Sequence, residues 1–96
     1  MTAVLLVHHR VADFDAWKAG YDRAGPIQRE HGVRHHHVWR SREDPNMVVV
    51  VHTFDSVEAA EAFVSLPELA AAMEQGGVDG STFRAEILDA AGGGAL

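Results

Sequence analysis

The sequence predicts an α+β domain of ferredoxin-like βαββαβ order: an antiparallel four-stranded sheet with helices on one face, paired with a second copy as a dimeric α+β barrel. Three observations lead there. Strand-like and helix-like segments alternate in that order along 96 residues, a length that holds one core and little more. Two of the strand segments are apolar on both parities, as strands covered on two faces are. A lone sheet with helices on one side would leave the second apolar face in water, whereas burying it against a copy gains roughly 25 cal/mol per Å².

The first strand is read from Ala3 to Arg10, rich in Val and Leu. Asp13 then stands as an N-cap before Phe14, Trp17, Tyr21 and Ala24, whose spacing puts them on one side of a helix. Pro26 ends or kinks that helix and Gly32 stops it. A second strand is expected over Val33 to Ser41. A turn at Asp44-Pro45-Asn46 leads into a third, Met47 to Phe54, with four consecutive valines. Asp55 and Glu58 have capping-box spacing before a helix carrying Ala59, Ala60, Phe63 and Val64. Pro67 opens a further short helix, which Gly76 and Gly77 end. The last strand, Thr82 to Leu88, alternates Phe83, Ala85 and Ile87 with Arg84 and Glu86. Residues 1–90 thus form one domain and 91–96 a small, Gly-rich tail expected to be flexible.

Right-handed crossovers give the spatial strand order 4-1-3-2. Treating the first and third strands as parallel neighbours brings His8 and His9 near His52. The second strand carries His35, His36 and His37 to the same end, and the fourth carries Arg84 there. Adjacent strand residues point to opposite faces, so one of His8 or His9 joins either His36 or the pair His35 and His37. The set assigned to one face is His9, His37 and His52, with Trp39 two residues beyond His37.

A formal net charge of −6 without basic clusters argues against nucleic acid as a partner. No segment has the length of a membrane span or a signal peptide, and a cytoplasmic protein is expected. With no cysteine, disulfides, thiolate metal sites and thiol nucleophiles are excluded. Seven histidines remain as the main chemical resource, since imidazole titrates near neutral pH.

The residues Asp44-Pro45-Asn46 before the valine-rich strand, Phe54-Asp55, Ala62-Phe63, Pro67-x-Leu69, Ala72-Met73 and Gly76-Gly77-Val78-x-Gly80 together resemble small proteins of the dimeric α+β barrel superfamily. These are the antibiotic-biosynthesis monooxygenase-like and polyketide-cyclase-like proteins. The resemblance spans nearly the whole chain and implies a homodimer. It also points to secondary metabolism, whose characterised relatives include cofactor-independent oxygenases and cyclases of aromatic polyketides. The matching residues are turns, caps and packing positions, so it carries over no catalytic set.

The resulting expectation is an enzyme without a cofactor, a cyclase or monooxygenase acting on an aromatic or polyketide-like small molecule. A histidine among His9, His37 and His52 serves as general base, Trp17, Tyr21, Trp39 and Phe63 line the pocket, and Arg84 stabilises negative charge. One alternative is a metal protein using His9, His37 and His52 to hold Zn, Cu or Ni; another is a dimer that binds a small molecule without catalysis. Each histidine also fits a solvated position at the sheet end, and Trp17 and Tyr21 fit plain core packing.

Overall fold

The computed structural model describes residues 2–96. The elements are β1 (Ala3–Val11), α1 (Phe14–Arg23), α2 (Gly25–Glu30), β2 (His35–Arg40), β3 (Met47–Phe54), α3 (Val57–Val64), α4 (Pro67–Gln75) and β4 (Val78–Asp89). The expected break at Pro26 divides the first helical region in two, because proline at the start of α2 lacks the donor that continuing α1 would need. Asp13 caps α1, accepting from the amides of Asp15 (3.0 Å) and Ala16 (3.4 Å). At α3 the cap is Ser56, whose hydroxyl accepts from Ala59 N at 3.1 Å. The expected capping residue Asp55 instead takes Arg34 as its partner at 2.9 Å.

The strands form a ferredoxin-like sheet in the order β2-β3-β1-β4 with every neighbour antiparallel. The sheet is open: β2 and β4 are its edges and do not pair with each other. This corrects the expected barrel, because closing a sheet requires hydrogen bonds between its first and last strands.

A second correction concerns β1 and β3, which are antiparallel rather than parallel. Leu5 lies opposite His52, while His9 lies opposite Val48. The histidines of β1 therefore sit at the opposite end of β3 from His52, and the predicted convergence of four segments at one end does not occur. His8 faces Arg84 across β4 at one end of the sheet, and His36 faces His52 at the other.

Parity then decides what is buried. Ala3, Leu5, Val7, His9 and Val11 of β1 and Val48, Val50, His52 and Phe54 of β3 point into the helical layer and are buried. They pack against Trp17 of α1 and Ala60 and Phe63 of α3, the three residues that anchor those helices. The other parity, with Val4, Leu6, Val49 and Val51, forms a half-buried outer face. Between α4 and β4, Gly77 adopts φ +78°, and a Cβ there would lie 3.3 Å from Ala12 Cβ. A glycine makes both the left-handed turn and the close approach possible.

Candidate active site

Between the inner face of the sheet and the helices lies a cavity of about 390 Å³. Its walls are aromatic because three elements, α1, α3 and β4, contribute rings that face it. Trp17 and Tyr21 stand one helical turn apart on α1 and stack with ring centroids 5.1 Å apart. Phe63 reaches in from α3 and meets His52 edge-on at 5.4 Å.

Phe83 enters from β4, where the pairing with β1 is interrupted between His8 and Arg10. Thr82 fills that break: its hydroxyl accepts from Arg10 N at 2.9 Å and donates to Asp79 O at 2.7 Å. The bulge places Phe83 over His9, stacked at 6.3 Å. Leu69 and Met73 of α4 complete the apolar wall.

Two imidazoles belong to this cavity, at its two ends. Four residues of strand separate the level of His9 from that of His52, about 13 Å at the usual rise. A row of rings connects them: His9 to Trp17 at 5.6 Å, Trp17 to Tyr21 at 5.1 Å, Tyr21 to His52 at 6.0 Å. Both histidines are almost fully buried, His9 2% and His52 4% exposed. Burial removes the hydration that an imidazolium needs and lowers both pKa values. That of His52 is pushed down to about 4, first by burial and then by the nearby His36. Both rings are therefore neutral at pH 7. His9 Nδ1 is fully buried and has no hydrogen-bond partner among the described residues.

His52 is not alone. The Tyr21 hydroxyl lies 2.9 Å from His52 Nε2 and 3.1 Å from His36 Nδ1. Burial pushes the Tyr21 phenol up to about 12, so it keeps its proton. One hydroxyl holds one hydrogen, so Tyr21 donates to one imidazole and accepts from the other. This fixes the tautomers as a linked pair.

The structure brings Trp17, Tyr21, Phe63, His9 and His52 together and leaves out His37, Trp39 and Arg84. His37 pairs with Val51 and stacks on Trp39 at 6.1 Å, and both rings lie on the outer face of the sheet. Trp39 is 60% exposed. Arg84 is exposed opposite His8, again on the outer face. His36, not His37, shares the face of His52. With His37 on the far side and His9 some four residues along, the ligand set His9, His37 and His52 does not form. Among the described residues no group of three or more His, Cys, Asp or Glu is placed to hold a metal ion.

His36, which the sequence offers as the alternative to His35 and His37, and Phe83, which it offers only as a strand residue, complete the site and stand outside the assigned set. Val38, the one aliphatic residue of β2, has the parity of His36 and packs against the core. That parity was the available signal.

The model of the antibiotic biosynthesis monooxygenase family matches residues 12–75. The chain belongs to this family. Its matched part runs from α1 to the end of α4 and so includes Trp17, Tyr21, His36, His52 and Phe63. No curated protein matches the sequence.

Among solved structures, SnoaB from Streptomyces nogalater, described as a cofactor-independent oxygenase, superposes with a TM-score of 0.77 at 14% identity, covering 96% of this chain and 95% of its own. A candidate antibiotic biosynthesis monooxygenase from Chloroflexus aurantiacus gives 0.71 at 20% identity, covering 99% and 98%. Another from Bordetella bronchiseptica gives 0.76 at 14%, covering 94% and 97%. At these identities the likeness is one of fold. Among the described residues no helix is long and apolar enough to cross a membrane.

Proposed function

We propose that this member of the antibiotic biosynthesis monooxygenase family is a cofactor-independent monooxygenase or cyclase. It binds a neutral, aromatic, polyketide-like molecule in the cavity between helices and sheet, with His52 as general base. The observation that carries this reading is a neutral imidazole set into the aromatic wall of the cavity, with its Nε2 engaged by Tyr21. SnoaB, described as a cofactor-independent oxygenase, shares the fold and lends support.

The cavity suits a flat apolar guest. Trp17, Tyr21, Phe63 and Phe83 offer ring faces and edges, and the volume lies at the lower end of the range for small-molecule sites. Binding would exclude water and keep His52 neutral. Its Nδ1 then takes the acidic C–H or O–H proton of the guest, a transfer worth about 10²–10⁴-fold when the base is positioned. The carbanion or phenolate spreads its charge over the aromatic system. In a cyclase it attacks a carbonyl carbon of the same molecule. In an oxygenase it transfers electrons to O₂, forms a carbon–oxygen bond as a hydroperoxide, and loses water to leave a carbonyl.

The homodimer belongs to the same proposal. The outer face carries Val4, Leu6, Val49 and Val51, half-buried, beside the exposed Trp39, and a second copy would cover them.

The test is ligand binding followed by tryptophan fluorescence in a Trp39→Phe background, which leaves Trp17 as the one reporter. Anthrone, a tricyclic ketone with an acidic C–H, should quench Trp17 saturably, and Phe83→Ala, which removes a cavity wall, should weaken that quenching. Unchanged Trp17 emission up to the solubility limit of anthrone and of 1-naphthol would contradict the cavity as an aromatic site.

A further inference from the structure

We propose that His52, Tyr21 and His36 form a proton wire that carries a proton between the buried cavity and the solvent-facing edge of β2, with Tyr21 as the gate between two adjoining pockets.

The geometry is continuous. His52 Nε2, Tyr21 Oη and His36 Nδ1 follow one another at 2.9 and 3.1 Å, both within hydrogen-bond reach. Three different elements supply them. His36 and His52 are direct cross-strand partners on β2 and β3, and Tyr21 comes down from α1 onto both. The main cavity is lined by His52 and Tyr21. A second pocket of about 280 Å³ is lined by Tyr21 and His36 together with Asp22, Arg29 and Arg34. Tyr21 stands in the wall between them. His36 is exposed, whereas His52 is buried.

Burial also makes the wire necessary. A proton accepted by an isolated His52 would leave an imidazolium in an apolar wall, the state that its surroundings disfavour. The wire avoids that charge. In the starting state His52 carries its hydrogen on Nε2 and donates to Tyr21, Tyr21 donates to His36 Nδ1, and His36 Nε2–H faces water.

When His52 Nδ1 accepts a proton, its Nε2 hydrogen moves to Tyr21 Oη, the Tyr21 hydrogen moves to His36 Nδ1, and His36 Nε2–H leaves to water. One proton enters, one leaves, and all three groups are neutral before and after. Return of the Nδ1 proton to the product runs the wire backwards and restores the start. In proton transfer the Tyr21 hydroxyl and His36 therefore act through His52 as positioning groups, apart from the place of the Tyr21 ring in the cavity wall.

The wire rests on His52 as base only for its role in turnover, and its existence is measured without substrate. Ring ¹⁵N-labelled histidine gives the exchange rate of the His52 ring N–H with solvent, observed by NMR at neutral pH in the full chain. Tyr21→Phe keeps the ring stack on Trp17 but removes the carrier, and His36→Gln keeps the Tyr21–His52 bond but removes the exit. Both should slow exchange on the order of 10²-fold, the low end of what a positioned proton carrier contributes.

A merely structural hydrogen bond predicts the reverse for Tyr21→Phe, since loosening the site speeds exchange. Faster or unchanged exchange in the folded variants overturns the wire. Should Tyr21→Phe fail to melt cooperatively, the exposed His36→Gln decides alone. A wild type that binds anthrone but never consumes it would sink the base chemistry and leave the exchange result standing.

Discussion

The Tyr21 hydroxyl sits 2.9 Å from His52 Nε2, tying the middle of α1 to a buried position on β3. A bond between a helix and the strand beneath it holds the cavity wall in one register, and its loss leaves a nearly buried imidazole nitrogen without a partner. Tyr21→Phe should therefore destabilise the fold by about 1–3 kcal/mol, the cost of an unsatisfied buried polar group. The midpoint of urea unfolding measures it. No change in midpoint would mean that water replaces the hydroxyl.

Acid should weaken the fold well before the carboxylates titrate. The His52 pKa is about 4 in the folded protein and about 6.5 when unfolded. Between these values the unfolded chain binds a proton that the native state does not. Stability is thus full above about pH 6.5 and is lost as pH falls toward 4, by about 3 kcal/mol from His52, and His9, lowered in the same direction, adds to it. Unfolding midpoints at pH 7 and pH 5 report the difference. His52→Gln should flatten much of the slope, and a slope that stays the same would place the titrating group elsewhere.

The order of elements and the two central strands were legible because they depend on local signals: the parity of Val and Leu in β1 and β3, Asp13 before α1, Pro26 and Pro67 at helix starts. The site was less so. Which end of the sheet each histidine reaches depends on strand direction, and reading β1 and β3 as parallel moved His9 to the wrong end of β3. An all-antiparallel sheet in the order 4-1-3-2 already implies that these neighbours run opposite ways.

The sequence leaves both faces of β2 open, and the assigned one, with His37 and Trp39 toward the cavity, is the one the fold turns outward: Trp39 packs on His37 outside while the smaller Val38 turns inward with His36. Phe83 was hidden by the bulge opposite His9, since an irregular pairing has no periodic signature. The barrel expectation added a closure that one four-stranded chain does not make. Its two edge strands stay apart.

The corrected faces give a direct contrast. His37→Ala and Arg84→Ala change side chains on the outer surface, and both should leave anthrone binding unaltered. Phe83→Ala removes a cavity wall and the ring stacked on His9, and should weaken binding. Equal losses from all three would return the outer residues to the site.

The turn after α4 tests the backbone separately. Gly77→Ala must hold a left-handed φ of +78° and bring a methyl to 3.3 Å from Ala12 Cβ. It should cost about 1–2 kcal/mol from the conformation alone. Gly80→Ala, with open space around its Cβ position, should cost less. Thermal midpoints of the two variants rank them, and an equal shift would show that the turn relaxes freely.

The most direct measurement is oxygen consumption with anthrone in metal-free buffer, comparing the wild type with His52→Gln. Proton removal by His52 followed by reaction with O₂ predicts one O₂ consumed per anthraquinone formed in the wild type, with kcat reduced about 10²–10⁴-fold in His52→Gln and binding of anthrone retained. Wild-type consumption that survives in a folded His52→Gln variant would contradict His52 as the base.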